Sequence, residues 1–203
     1  MIYAMQTEPK TRRGRQSRGR IVECAAELIA ERGVERMGLD QVIAAAGVSK
    51  SQLYHYFTDR DALIEAAVSH RCAQVQAALA HLFGGLDSLA ELELRLDRFV
   101  AIYEENLAGC PVGRIAGEIG GRHEGARREV GKAFAGWEEL FADLFSRMRG
   151  RGEMRPDTDP AALATALLAA LEGGQLLSQT RNDATSLRVA IAAALGYIRT
   201  FAT

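Results

Sequence analysis

Between Leu39 and Arg60, in the stretch LDQVIAAAGVSKSQLYHYFTDR, two short helical patterns are joined by a turn too tight for anything but a helix-turn-helix. Leu39, Val42, Ile43 and Ala46 recur at the three-and-four spacing of one helix face, and Gly47 supplies the permissive backbone that ends the helix. Val48 plugs the corner. Ser49 then opens the second helix as an N-cap, and Gln52 three residues on completes an S-x-x-Q capping box.

At 100° per residue, Leu53 and Phe57 fall on the buried side of that second helix, so Ser51, Gln52 and His55 point directly away from it. Lys50, Tyr54 and Tyr56 flank this outward face. One positive charge and two phenols there suit the phosphates bordering a DNA major groove about 12 Å wide. The plainer alternative, a solvated helix face, explains the exposed tyrosines poorly.

The segment resembles the DNA-binding domain of the TetR family of bacterial transcriptional repressors. The pattern A-G-V-S, L-Y-x-x-F, a basic residue and a leucine is met by Ala46 to Ser49, Leu53, Tyr54, Phe57, Arg60 and Leu63. The resemblance implies that Lys50, Ser51, Gln52, Tyr54, His55 and Tyr56 touch DNA, and that Arg60, opening the fourth helix, holds a phosphate. The sequence departs from the family at the entry to the second helix, where Met37 and Gly38 replace the frequent Thr or Ser, and at Ile43, where Ala is common.

A chain of 203 residues that is 48% hydrophobic with four prolines is long enough to bury a sizeable core. Its formal charge is −1, yet residues 1–62 hold ten Lys or Arg against eight acids, and the rest fifteen against eighteen. The positive excess therefore lies with the proposed DNA reader. Cys24, Cys72 and Cys110 are far apart and form no C-x-x-C pair, which points to neither a disulfide framework nor a metal site and fits a reducing cytoplasm. No apolar run is read as reaching membrane-spanning length, no secretion signal is legible, and no cofactor is expected.

Residues 1–16 read as a disordered basic arm, with Lys10, Arg12, Arg13 and Arg15 continued by Arg18 and Arg20. Such an arm is either a solvated tail or a device that enters the minor groove or crosses phosphates. The DNA-binding domain is placed at 17–65, its first helix at 17–32. A long helix from Arg60 joins the halves, so movement in one can tilt the other. Residues 66–203 form the second domain: apolar stripes at helical spacing run through Leu89–Leu107 and Val130–Met148, with a short segment at 112–120 between them. Asp159 and Pro160 open an alanine-rich helix to Thr180, and a last helix covers Ser186–Phe201. No strand is expected, and the fold class is all-α.

TetR-family resemblance implies that this C-terminal part is an antiparallel helical ligand-binding and dimerisation domain. The stretches GCPVGRIAGEIG and LEGGQLLSQ look like segments of a branch that includes multidrug-resistance regulators. Tyr103, Phe134, Trp137 and Phe141 are candidates to line a pocket, with Glu118, Glu172 and Gln175 as orienting polar groups, although aromatic stripes also build plain cores. Cys110, ahead of Pro111 and a short helix, is a possible electrophile or redox sensor. The alanine and leucine stripes of residues 161–198 suit a helix pair packing on its own copy.

Together these readings describe a homodimeric repressor that grips a palindromic operator in double-stranded DNA and is released by an aromatic or weakly polar inducer. The alternatives are a repressor sensing through Cys110, a ligand-independent DNA-binding protein or activator, and a small helical enzyme using Glu118, His123 or Cys110. The enzyme lacks a legible triad, metal spacing or phosphate loop.

Overall fold

A computed structural model describes Pro9 and residues 11–203, which form nine helices. They are α1 (Arg12–Arg32), α2 (Leu39–Ala46), α3 (Lys50–Tyr56), α4 (Arg60–Phe83), α5 (Leu89–Glu105), α6 (Pro111–Ile119), α7 (Glu124–Gly150), α8 (Pro160–Arg181) and α9 (Thr185–Arg199). The only extended pairing among the described residues is an isolated bridge between Met154 and Ala202. Contacts divide the chain into two units, one made of the chain through Gln74 with residues 115–131, the other of 75–114 and 132–203.

The caps account for the helix boundaries of the first unit. Ser49 Oγ accepts from the Gln52 amide at 3.1 Å while Gln52 Oε1 accepts from the Ser49 amide at 2.8 Å. Gly47 ends α2 at φ 61°, a left-handed conformation that glycine adopts without a Cβ penalty. Asp59 Oδ1 accepts from the Ala62 amide at 2.8 Å and starts α4. One boundary differs from expectation: α1 begins at Arg12, not Ser17, because Thr11 Oγ1 accepts from the Gly14 amide at 3.0 Å and supplies the cap. Arg12, Arg13 and Arg15 of the expected disordered arm are therefore helical; residues 1–8 and Lys10 lie outside the described residues.

The loop between α1 and α2 is held from two sides. Arg60 donates through Nε to the Met37 carbonyl at 3.1 Å, and through Nη2 to those of Val34 at 2.7 Å and Glu35 at 3.0 Å. Glu118 on α6 accepts from the Val34 amide at 2.7 Å. Beyond α6, His123 is buried, with Nδ1 3.1 Å from Asp61 and Nε2 3.4 Å from Glu35, which also pairs with Arg122 at 3.1 Å. Residues 115–131 thus belong physically to the first unit, well beyond the 17–65 boundary read from sequence.

In the second unit, Leu92, Leu96, Phe145, Leu163, Leu167 and Ile198 are among the residues of one core built from α5, α7, α8 and α9. α8 and α9 approach closely at Gly174, where an added Cβ would stand 2.9 Å from the Leu187 Cα. Ser178 Oγ accepts from the Leu187 amide at 2.9 Å at the same crossing. Contrary to the sequence reading, α8 is long and apolar enough to cross a membrane by length and composition. Its Leu163, Leu167 and Leu171 are instead buried against the other helices of this unit.

Arg60→Met should lower the stability of the first unit by about 1–3 kcal/mol, since it leaves three loop carbonyls without a charged donor. Chemical denaturation followed by circular dichroism checks this; an unchanged midpoint would mean that water replaces the guanidinium at no cost.

Candidate nucleic-acid interface and ligand region

The short helix α3 presents the outward residues as its spacing requires. Leu53 and Phe57 have no exposed surface, while Lys50, Ser51, Gln52 and His55 are exposed and Tyr54 is 46% exposed. Tyr56 is half-buried: its ring meets that of His55 edge-on at 4.9 Å, and its hydroxyl lies 3.7 Å from where a Cβ on Gly14 of α1 would stand. Lys50 and Tyr54 also line a cleft of about 410 Å³ with Gly38 and with Leu39, Asp40, Gln41 and Ile43 of α2. The face combines hydrogen-bonding groups at its centre with one cation and phenols at its border, the distribution a groove-reading helix needs.

Arg60 stands apart from this face. Its guanidinium engages the α1–α2 loop, so the expected phosphate contact gives way to a structural brace: three backbone carbonyls, fixed in place, outcompete solvent for the fork of donors. Sequence reasoning named Arg13 and Arg20 in the basic arm but missed that they share one side of α1 with Gln16 and Ser17, beside Gly47 and Gln52. Their i, i+3, i+4, i+7 spacing was visible, but an arm read as disordered has no faces.

The expected ligand residues separate. Glu118 belongs to the first unit, where its carboxylate accepts from the Val34 amide. Tyr103 is buried and donates its hydroxyl to the Gln175 carbonyl at 2.9 Å. Gln175 is buried too, and its Nε2 donates to the Leu171 carbonyl at 3.3 Å. Phe141 packs into the core, edge-on to Phe83 at 5.3 Å. Trp137 is 1% exposed and meets the half-buried Phe134 edge-on at 5.1 Å. Its indole Nε1 is buried with no hydrogen-bond partner among the described residues.

Glu172 and Cys110 are hydrogen-bonded neighbours, and burial shifts both upward. Burial raises the Glu172 carboxyl above its ordinary range despite a hydrogen bond from the Cys110 thiol. Burial and the neighbouring Glu172 push that thiol up to about 12, outweighing the Gly113 amide that donates to its sulfur at 3.3 Å. This is the reverse of an activated thiolate and speaks against a sensor at Cys110. Among the described residues no cluster of three or more His, Cys, Asp or Glu could hold a metal ion.

Comparison with known proteins decides what this arrangement belongs to. Residues 21–67 match the model of bacterial regulatory proteins of the tetR family, and residues 88–194 match the tetracyclin repressor-like C-terminal domain. The chain belongs to the tetR family of transcriptional regulators. Among curated tetR-family relatives, the transcriptional regulator AcuR of Cereibacter sphaeroides is 32% identical over 166 residues, spanning 77% of this chain and 73% of AcuR. The transcriptional regulator LmrA of Bacillus subtilis is 27% identical over 84% of this chain and 90% of its own. A crystal structure of a TetR transcriptional regulator from Chloroflexus aurantiacus superposes with a TM-score of 0.80 at 28% identity, covering 95% and 98% of the two chains. The family is one of transcription regulators and not of enzymes, and the helix-turn-helix described above is its DNA-binding part.

With its thiol raised to about 12, Cys110 should be about one part in ten thousand thiolate at pH 8. Iodoacetamide should therefore label it only after denaturation, as read by peptide mass spectrometry. Modification of the native protein at a rate near that of free cysteine would restore the sensor.

Proposed function

We propose that this tetR-family protein is a cytoplasmic, homodimeric repressor that places the α3 helices of two copies in successive major grooves of a palindromic operator, about 34 Å apart. What carries the reading is the outward face of α3: Ser51, Gln52 and His55 at its centre are exposed over a Leu53–Phe57 anchor with no exposed surface.

Dimerisation is supported by the second unit, though not by the residues first expected. Leu163, Leu167, Leu171, Leu187, Ile191 and Leu195 are buried in their own protomer's core, so a charge at Leu195 would disrupt folding before association. The sides of α8 and α9 that remain exposed carry Leu176 and Leu177, 63% and 50% exposed, and Val189 and Tyr197, 63% and 46%. Small residues lie between them: Ala169 and Gly173 on α8, Ala192, Ala193 and Gly196 on α9. An apolar face of small and large residues on two antiparallel helices suits a two-fold four-helix contact with a second copy.

We further propose a small-molecule inducer in the second unit, with Tyr103, Phe134, Trp137, Phe141, Glu172 and Gln175 as its candidate surroundings. Support comes from the Trp137 N–H, a buried donor without an acceptor. An aromatic compound bearing an acceptor oxygen would satisfy it. By linkage, such an inducer binds the DNA-incompetent state better, and operator DNA weakens its binding by the same factor.

Leu177→Arg should convert the protein to monomers in sedimentation and reduce its affinity for a duplex with both half-sites to that for a single half-site. A variant that stays dimeric would remove α8 from the interface, and a wild-type protein that enriches no duplex from a random pool would end the operator reading. Trp137 is the only tryptophan, so a compound that releases DNA should shift its emission. Release with unchanged emission, undiminished in Trp137→Phe, would place the inducer elsewhere.

A further inference from the structure

Lys50 is the one cation on the outward face of α3, and Arg60 is engaged with loop carbonyls. A single lysine per reading helix is a weak hold on a polyanion whose binding depends on neutralised phosphates. The first two turns of α1 supply what is missing. Arg13, Gln16, Ser17 and Arg20 share one side of that helix and, with Gly47 and Gln52, line an open cleft of about 380 Å³ at the start of α3. No carboxylate lines it. Arg13 and Arg20 are exposed, and neither has a hydrogen-bond or ion-pair partner among the described residues. Their neighbours on the same helix do other work: Arg15 donates to the Pro9 carbonyl at 3.2 Å, and the Arg18 guanidinium stacks 5.2 Å from the centre of the Phe57 ring.

We infer that this cleft is a phosphate site, in which Arg13 and Arg20 clamp a backbone phosphate of the DNA strand that borders the groove read by α3. The inference rests on the DNA-binding reading and adds to it where the backbone is gripped. Two arginines seven residues apart stand two helical turns from each other, about 10 Å along the axis, and both side chains line the cleft between them. Gln16 and Ser17 lie in that interval and add neutral hydrogen bonds to the same oxygens. Because the helical start at Arg12 sets the phase of all four, the site exists only if Thr11 caps α1 where it does.

The test is the salt dependence of binding by the full-length protein to a 30-base-pair duplex that the wild type has enriched from a random pool. Each phosphate neutralised contributes about 0.9 to the slope of log K against log salt. With one phosphate in each cleft of a dimer, Arg13→Gln, Arg20→Gln should flatten the slope by about 1.8, so that the wild type loses about tenfold more affinity than the variant between 50 and 200 mM salt. Arg13→Lys, Arg20→Lys should keep most of the slope. Arg15→Gln, on the opposite side of α1, should leave it near the wild-type value, and circular dichroism should show all three variants folded. A slope unchanged in the double glutamine variant overturns the cleft and leaves the DNA-binding reading standing. An equal flattening in Arg15→Gln also overturns it, because net charge would then explain the result. Failure of the wild type to enrich any duplex overturns both.

Discussion

A helix of seven residues has no independent existence in water, because its nucleation cost exceeds what so few hydrogen bonds return. α3 is such a helix, and everything proposed for this protein depends on its standing still. It is held at both ends of its length. The reciprocal bonds of Ser49 and Gln52 satisfy its opening amides, and Leu53 and Phe57 bury its inner side in the core where α3 meets α1 and α2. Local capping defines where the helix starts; burial defines which way it faces.

That core extends its reach through polar connections made over long stretches of chain. The α1–α2 loop receives Arg60 from α4 and Glu118 from α6, and the α6–α7 turn is fastened by His123 between Asp61 and Glu35. The Arg60 and Glu118 connections satisfy backbone groups of the loop at partly buried positions, where an unmade hydrogen bond is costly. The helix-turn-helix is therefore not a detachable fifty-residue module, and residues 115–131 are part of what makes it rigid.

The contrast between what could and could not be read from sequence follows from the range of the interactions. The turn at Gly47, the capping box at Ser49 and the Asp159–Pro160 start of α8 are local, and the structure has them where the residues indicated. The side chains of Arg60, Glu118 and Cys110 are decided by partners 25, 84 and 62 positions away in the chain, counting to Glu35, Val34 and Glu172. Nothing in their immediate neighbours announced a brace, a tether or a silenced thiol. The alanine-rich helices show an intermediate case: period picked out an apolar stripe on each, but not whether it faces the protomer's own core or a second copy, because leucine and alanine satisfy either. The short hydroxyl cap at Thr11 was equally local, yet an arginine run hid it by composition.

The capping box has a consequence for the vocabulary of α3. Gln52 Oε1 accepts from the Ser49 amide, so the acceptor half of this side chain is occupied by the helix itself. Its Nε2 remains a donor, and a donor recognises an acceptor: N7 of either purine, O6 of guanine or O4 of thymine. The paired donor-and-acceptor contact that singles out adenine would have to use the second lone pair of an Oε1 already bound to the cap. At that step an operator would be read for where an acceptor lies in the groove, with several bases spelling the same answer.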